Sequence, residues 1–349
     1  MSAVSRSVDV QDGVTRPDAA ADSPTRGIFT ADVVENRPLC REHYLLRLRL
    51  PRFPPTRPGQ FVQVLCGPDG SDAARTLGRH PDGQEWTDGR WPEVTAAELP
   101  CRTAFLRRPF SLAGRHDLPD GGVELELIHR VVGVGTRYLA GLAAGDALNV
   151  LGPLGNAFPL PGEEQIVLLV GGGVGIPPMI YLAQALCRPR VIAFCGAQTR
   201  ELLSLTVTND APPPRSPTSV QPLYNIAEFS RYGVPCVVST DDGSYGFRGY
   251  VTAALQAYLD RFFTDTWDIG SKRPVVYTCG PEVMMKKVAE MCLERGLTAY
   301  AAVERAMACG LGTCQSCCIR VKSPQSPDGW RYALSCTEGP VFETTRLLW

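Results

Sequence analysis

Residues 166–178 read Ile-Val-Leu-Leu-Val-Gly-Gly-Gly-Val-Gly-Ile-Pro-Pro. The five apolar residues Ile166–Val170 do not alternate with polar ones, the pattern of a strand covered on both faces. The glycines then break the strand, and Pro177 to Leu186 has helical character. A buried strand, a glycine turn and a helix are the opening of a parallel α/β unit. Gly171, Gly172, Gly173 and Gly175 would let backbone N–H groups approach a dinucleotide phosphate. The fingerprint is incomplete. Ile176 takes the third glycine position, and no Asp or Glu occurs from Val174 to Arg200 to hold a ribose hydroxyl. A phosphate cradle and tight strand–helix packing both remain readings of this loop, and Arg200 keeps NADP open beside NAD.

Downstream, Val191–Cys195, Val234–Ser239 and Val275–Cys279 are further buried-strand candidates, with helical patterns at Val251–Phe263 and Glu282–Arg295. Strands alternating with helices predict a parallel sheet over residues 161–302. Three loops at strand C-termini, Gly171–Gly175, Thr240–Gly246 and Cys279-Gly280-Pro281, should then converge on one crevice, where open α/β sheets bind ligands.

Upstream the period changes. Tyr44–Leu50, Gln60–Leu65 and Val123–Ile128 are short runs punctuated by Pro and Gly. They predict a small antiparallel β-barrel over residues 27–160. Residues 66–105 lose this pattern and read as an insertion, expected to be ordered in part around Trp86 and Trp91. Residues 1–26 read as a solvated tail. They carry Asp9, Asp12, Asp18 and Asp22 and no apolar core, so they do not read as a secretory signal. Pro212–Pro217 belongs to a Pro/Ser-rich loop, and Gly152–Phe158 to a tight turn between barrel and sheet.

Composition sets limits. The chain has 349 residues, enough for two or three domains, and 44% hydrophobic residues, an ordinary globular content. With 35 Lys+Arg against 36 Asp+Glu, it lacks the basic field that nucleic-acid binding requires. No apolar run approaches the roughly 18 residues of a membrane span. We therefore expect a cytoplasmic protein with no nucleic-acid or membrane partner. Thirteen cysteines, an odd number, argue against a disulfide scaffold. The scattered ones other than Cys279, Cys187 among them, are expected to be small buried hydrophobes. The four histidines are dispersed, without zinc-hydrolase spacing, and no G-x-S-x-G elbow occurs.

The C-terminal cysteines differ. Cys309-x4-Cys314-x2-Cys317 is followed after eighteen residues by Cys336. Four soft anionic ligands suit a [2Fe–2S] cluster, with Gly310 and Gly312 free to turn backbone N–H groups toward sulfur. A four-thiolate zinc knuckle is the alternative, although such sites use two C-x2-C units and only one is present here. Cys318, pointing away from Cys317 in an extended chain, is expected to pack. Residues 303–349 thus form a third, small module.

Singly, the remaining motifs have ordinary readings. Arg107-Arg108-Pro109-Phe110-Ser111 can be a surface arginine and a turn. His129-Arg130-Val-Val-Gly133-Val-Gly135-Thr136 can be a strand-to-helix turn, with a helix from Thr136 to Leu142. Their order is more specific. Arg-Pro-Phe-Ser, Gly-x-Gly-Thr, Gly-Pro-Leu-Gly, the glycine loop and Cys-Gly-Pro follow one another as in the ferredoxin-reductase superfamily. With the cysteine set, Thr240–Gly246, Met307–Cys309 and Gly339–Phe342, residues 27–65 and 106–349 resemble the electron-transfer subunits of the NAD-dependent (class 1B) dihydroorotate dehydrogenases. The tail and the 66–105 insertion depart from that pattern.

The resemblance implies a barrel that binds FAD through Arg108, Pro109, Phe110, Ser111, Ile128, His129, Arg130, Gly135 and Thr136. It implies NAD beside Gly171, Gly172, Gly173, Gly175, Cys279, Gly280 and Pro281, and a [2Fe–2S] cluster on Cys309, Cys314, Cys317 and Cys336. The implied partner is an FMN-containing dihydroorotate dehydrogenase catalytic subunit, in a heterotetramer with two of each. Electrons from dihydroorotate would pass one at a time through the cluster to FAD and leave as hydride to NAD+, the hard chemistry belonging to the cofactors. Two other readings are a reductase subunit of a hydrogenase, sulfide dehydrogenase or ferredoxin-linked complex, and a non-catalytic protein with a zinc knuckle.

Overall fold

The computed structural model describes residues 26–67, 104, 106–208, 216–262 and 273–349. The expectations for the tail before Arg26, most of the insertion, Cys101, and the starts or ends of two loops lie outside these residues.

Alternation builds the first unit. In β1 (Gly27–Cys40), β2 (His43–Leu50), β3 (Phe61–Val64), β4 (Arg108–Asp117), β5 (Val123–Arg130) and β6 (Ala147–Leu154), every second side chain turns inward. The inward set includes Leu46, Leu48, Leu50, Val62, Val64, Leu125 and Leu127, which form one buried core. The strands close a barrel in the order β1-β2-β5-β4-β3-β6. Helix α1 (Val134–Ala140) follows β5 and starts two residues before the expected Thr136. Gly152, Pro153 and Leu154 complete β6 rather than a turn, and the reversal falls at Gly155, φ +74°. A side chain there would meet Phe61 and Pro340, so only glycine fits.

The second unit is the α/β sheet. Its strands are β7 (Val167–Gly172), β8 (Val191–Ala197), β9 (Cys236–Thr240), β10 (Phe247–Arg248), β11 (Val275–Cys279) and β12 (Thr298–Ala302), all parallel. The order β10-β9-β8-β7-β11-β12 reverses direction at β7, the glycine-loop strand. Helices α2 (Ile176–Leu186), α3 (Ala227–Ser230), α4 (Val251–Phe262) and α5 (Glu282–Glu294) complete this unit. Two clusters of buried side chains occupy its two faces, one around Leu169 and Met179 and one around Leu168 and Val288. The uniform burial of β7 explains its lack of alternation.

The C-terminal segment contributes the hairpin β13 (Cys318–Lys322) with β14 (Trp330–Leu334). It then adds β15 (Val341–Glu343) antiparallel to the edge of the sheet at β12. The segment is therefore hydrogen-bonded into the α/β unit as well as capping it. Two cysteine expectations need correction. Cys318 and Cys187 are exposed. Cys318 opens β13 on its outward face. Cys187 lies just past α2 with φ +37°. No helix among the described residues is long and apolar enough to cross a membrane.

Candidate functional site: a crevice beside a cysteine loop

A crevice of about 1300 Å³ lies between barrel, sheet and C-terminal segment. Its barrel wall is the start of β4, with Arg108, Pro109, Phe110 and Ser111, and the end of β5, with Ile128, His129 and Arg130. Gly133 to Thr136 continue it. Thr136 Oγ1 holds this turn by accepting from the Val132 and Gly133 N–H groups and donating to the Gly133 carbonyl. Gly135 is buried, and a Cβ there would press on Cys66 and Arg108. Arg130 is anchored by Glu42 at 2.8 Å. His129 is the informative residue. It is 2% exposed, yet neither ring nitrogen has a hydrogen-bond partner. It stacks on Tyr44, centroids 5.8 Å apart, and meets Phe110 edge-on, centroids 6.0 Å apart. Burial, then the neighbouring His43, pushes its pKa down to about 4, so the ring is neutral at pH 7. A buried imidazole without a protein partner suits a wall whose polar contacts come from a ligand.

The sheet wall is made of strand ends. Gly172, Gly173, Val174, Asp241 and Pro281 line the crevice, so the three loops do meet there. Gly173 has φ +54° and open space where a side chain would be, leaving its backbone approachable. Gly171, Gly175, Cys279 and Gly280 stand behind the wall. Gly175 abuts the Cys279–Gly280 peptide, where any Cβ would overlap it. Cys279 is 1% exposed. The far end reaches Ala306, Met307 and Pro340, next to the cysteine loop.

That loop brings the four thiols into two pairs. Cys317 and Cys336 are buried and in side-chain contact, packed against Phe61 and Leu154. Cys309 and Cys314 form the outer pair, with the Leu311 and Cys314 N–H groups donating to Cys309 Sγ at 3.3 and 3.4 Å. Gly310 at φ +69° and Gly312 at φ +89° supply the backbone turns that aim them. Ser316, through its side chain and then its backbone, holds the Cys314 thiol down to about 6, close to the thiolate a metal takes. Among the described residues, no three His, Cys, Asp or Glu side chains close around a single ion. Two thiol pairs with inward N–H groups fit a two-iron cluster better than a one-ion knuckle.

Sequence reasoning gave no role to Gln63, inside the Gln60–Leu65 run, or to Asn156, inside the Gly152–Phe158 turn; both gain meaning only from what the fold sets beside them. Asn156 donates to the Glu338 and Val341 carbonyls and accepts from the Val341 N–H, tying the end of the barrel to the C-terminal segment.

Barrel, strand-end crevice and cysteine loop define an iron–sulfur flavin oxidoreductase of ferredoxin-reductase architecture. Residues 304–348 match the profile of the iron–sulfur cluster binding domain of dihydroorotate dehydrogenase B. The electron transfer subunit of dihydroorotate dehydrogenase B (NAD(+)) from Streptococcus mutans is 34% identical over 72% of this chain and 83% of its own length. The Clostridium acetobutylicum subunit is 35% identical over 70% and 80%. A solved NADH-dependent reduced ferredoxin-NADP oxidoreductase superposes with a TM-score of 0.63 at 24% identity, covering 91% of this chain and 90% of that one, which shows the shared fold. The chain belongs to the family of dihydroorotate dehydrogenase B (NAD(+)) electron transfer subunits.

Proposed function

We propose that this protein passes electrons from a dihydroorotate dehydrogenase catalytic subunit, which carries FMN, through a [2Fe–2S] cluster and FAD to NAD+, in the cytoplasm and as a heterotetramer with two of each subunit. Residues 27–160 take FAD, residues 161–302 take NAD, and residues 303–349 hold the cluster. The observation that carries the reading is the contiguity of one crevice with a four-thiol loop, the two meeting at Met307 and Pro340. When bound, the cluster supplies one-electron transfer and the flavin supplies exchange between single electrons and hydride.

The chain's own residues orient and exclude. Arg108 and Ser111 fix the flavin from β4, His129 and Arg130 bound it from β5, and Gly135 with Thr136 admits its diphosphate. Gly172, Gly173 and Pro281 shape the nicotinamide side, so that both rings occupy one water-poor space. Cys309, Cys314, Cys317 and Cys336 ligate iron.

The test is Cys314→Ser in the purified complex. Dihydroorotate-dependent NAD+ reduction should fall at least 100-fold, while NADH oxidation by an artificial flavin oxidant stays within twofold. Equal loss of both activities would contradict the division of labour.

A further inference from the structure

Strand β3 joins the two redox regions. Its alternation sends Val62 and Val64 into the barrel core and Phe61 and Gln63 to the opposite face. On one side Gln63 pairs in register with Pro109 of the flavin wall. On the other, Phe61 packs against Cys317 and Cys336. Gln63 is 0% exposed, and neither Nε2 nor Oε1 finds a hydrogen-bond partner. A buried amide left unpaired loses its hydration with nothing in return, so its presence calls for a partner beyond the polypeptide.

The amide's position says which partner. It lies against Gly310, where a Cβ would come within 2.8 Å of both Cδ and Nε2. Glycine at 310 therefore both turns the loop and lets the amide in. The same turn directs the Leu311 and Cys314 N–H groups at Cys309 Sγ. The amide lies against Gly310 of the cysteine loop, and Gln63 is not among the residues that line the crevice. We propose that Gln63 Nε2 donates a hydrogen bond to a sulfur of the cluster held by Cys309, Cys314, Cys317 and Cys336, and so raises the cluster's reduction potential. This rests on the reading of those cysteines as cluster ligands. A donor at sulfur stabilises the more negative, reduced form, and hydrogen bonds to sulfur are among the terms that set such potentials. Gln63 is a positioning residue for charge, not a ligand.

Two variants of the full-length protein, in complex with its catalytic subunit, separate this role from packing. Gln63→Met keeps length and removes the donor. Gln63→Glu keeps shape and replaces the donor by a charged acceptor. In anaerobic redox titrations read by EPR, Met should shift the reduction equilibrium against the reduced cluster about threefold or more, about 28 mV at 59 mV per tenfold for one electron. Glu should shift it further the same way. Iron and sulfide content should match the wild type. Wild-type protein with 15N in its glutamine side-chain amides should show a 15N hyperfine coupling in pulsed EPR, absent from both variants. An unmoved potential in both variants, or no such coupling in the wild type, overturns the proposal and leaves the cluster reading standing. Wild-type protein without iron and sulfide overturns the cluster reading itself, and this inference with it.

Discussion

Glu126 shows what one side chain does between the two larger units. It projects from β5, and its side chain is 4% exposed. Arg47 at 3.1 Å and His116 at 3.4 Å hold it within the barrel, and Arg231, just past α3, reaches it from the sheet unit at 3.3 Å. Burial would raise its pKa. The His116 imidazole 3.4 Å away and the charges of Arg231 and Arg47 overcome that and hold it at about 2, against an ordinary 4.5. A carboxylate with a depressed folded-state pKa stabilises fully above its unfolded value, and the contribution is lost as pH falls through the folded one. Glu126→Gln should therefore destabilise the protein by roughly 2 kcal/mol at pH 7. The gap to wild type should close between about pH 4.5 and pH 2. Chemical denaturation of both proteins across that range checks it, and a gap independent of pH would refute the assignment. Such a residue is invisible in sequence, where Glu126 is one more charge in VELEL. The cysteine pattern stands out for the opposite reason: four thiols, three at Cys-x4-Cys-x2-Cys and a fourth after eighteen residues, form a spacing that is visible without the fold.

At the scale of elements, the stretch at 166–178 was legible because its period and its glycines agree. β7 ends at Gly172 and α2 begins at Ile176, within a residue or two of the expected bounds. Which glycine does what was not legible. Gly173 leaves open space, whereas Gly175 has the Cys279–Gly280 peptide against it. Gly175→Ala should cost about 3 kcal/mol or more, because backbone cannot move aside as a side chain can. It should also weaken NAD binding by pushing β11's end away from the crevice. Gly173→Ala should leave stability within about 1 kcal/mol, its positive φ being the only cost. Thermal melts with and without NAD distinguish the two, and equal losses would show that the loop is not divided this way. Among the strands the sequence did not announce, β13 to β15 are only three to five residues long, and β15 is defined by a partner distant in the chain, β12.

Across the whole molecule, the parts are joined by a few polar contacts that no local pattern announces. Tyr181 of α2 donates to the Thr56 carbonyl at 3.0 Å, Gln184 to the Arg115 carbonyl at 2.8 Å, and Asn156 grips residues 338–341. Motif order indicated three regions, but their mutual placement, and β15's entry into the sheet, came only with the fold. Asn156→Ala should destabilise the protein by about 2 kcal/mol through carbonyls and an N–H left unpaired. Its first effect should be loss of hydrogen-exchange protection at 339–343. Global loosening without that local signature would argue against the clamp.

Cofactor analysis of anaerobically purified protein shows whether the C-terminal thiols hold a two-iron relay beside a bound flavin. Each chain should carry two irons, two acid-labile sulfides and one FAD, with the iron and sulfide lost in Cys336→Ser and the FAD retained. Protein carrying zinc, or neither sulfide nor FAD, would contradict it.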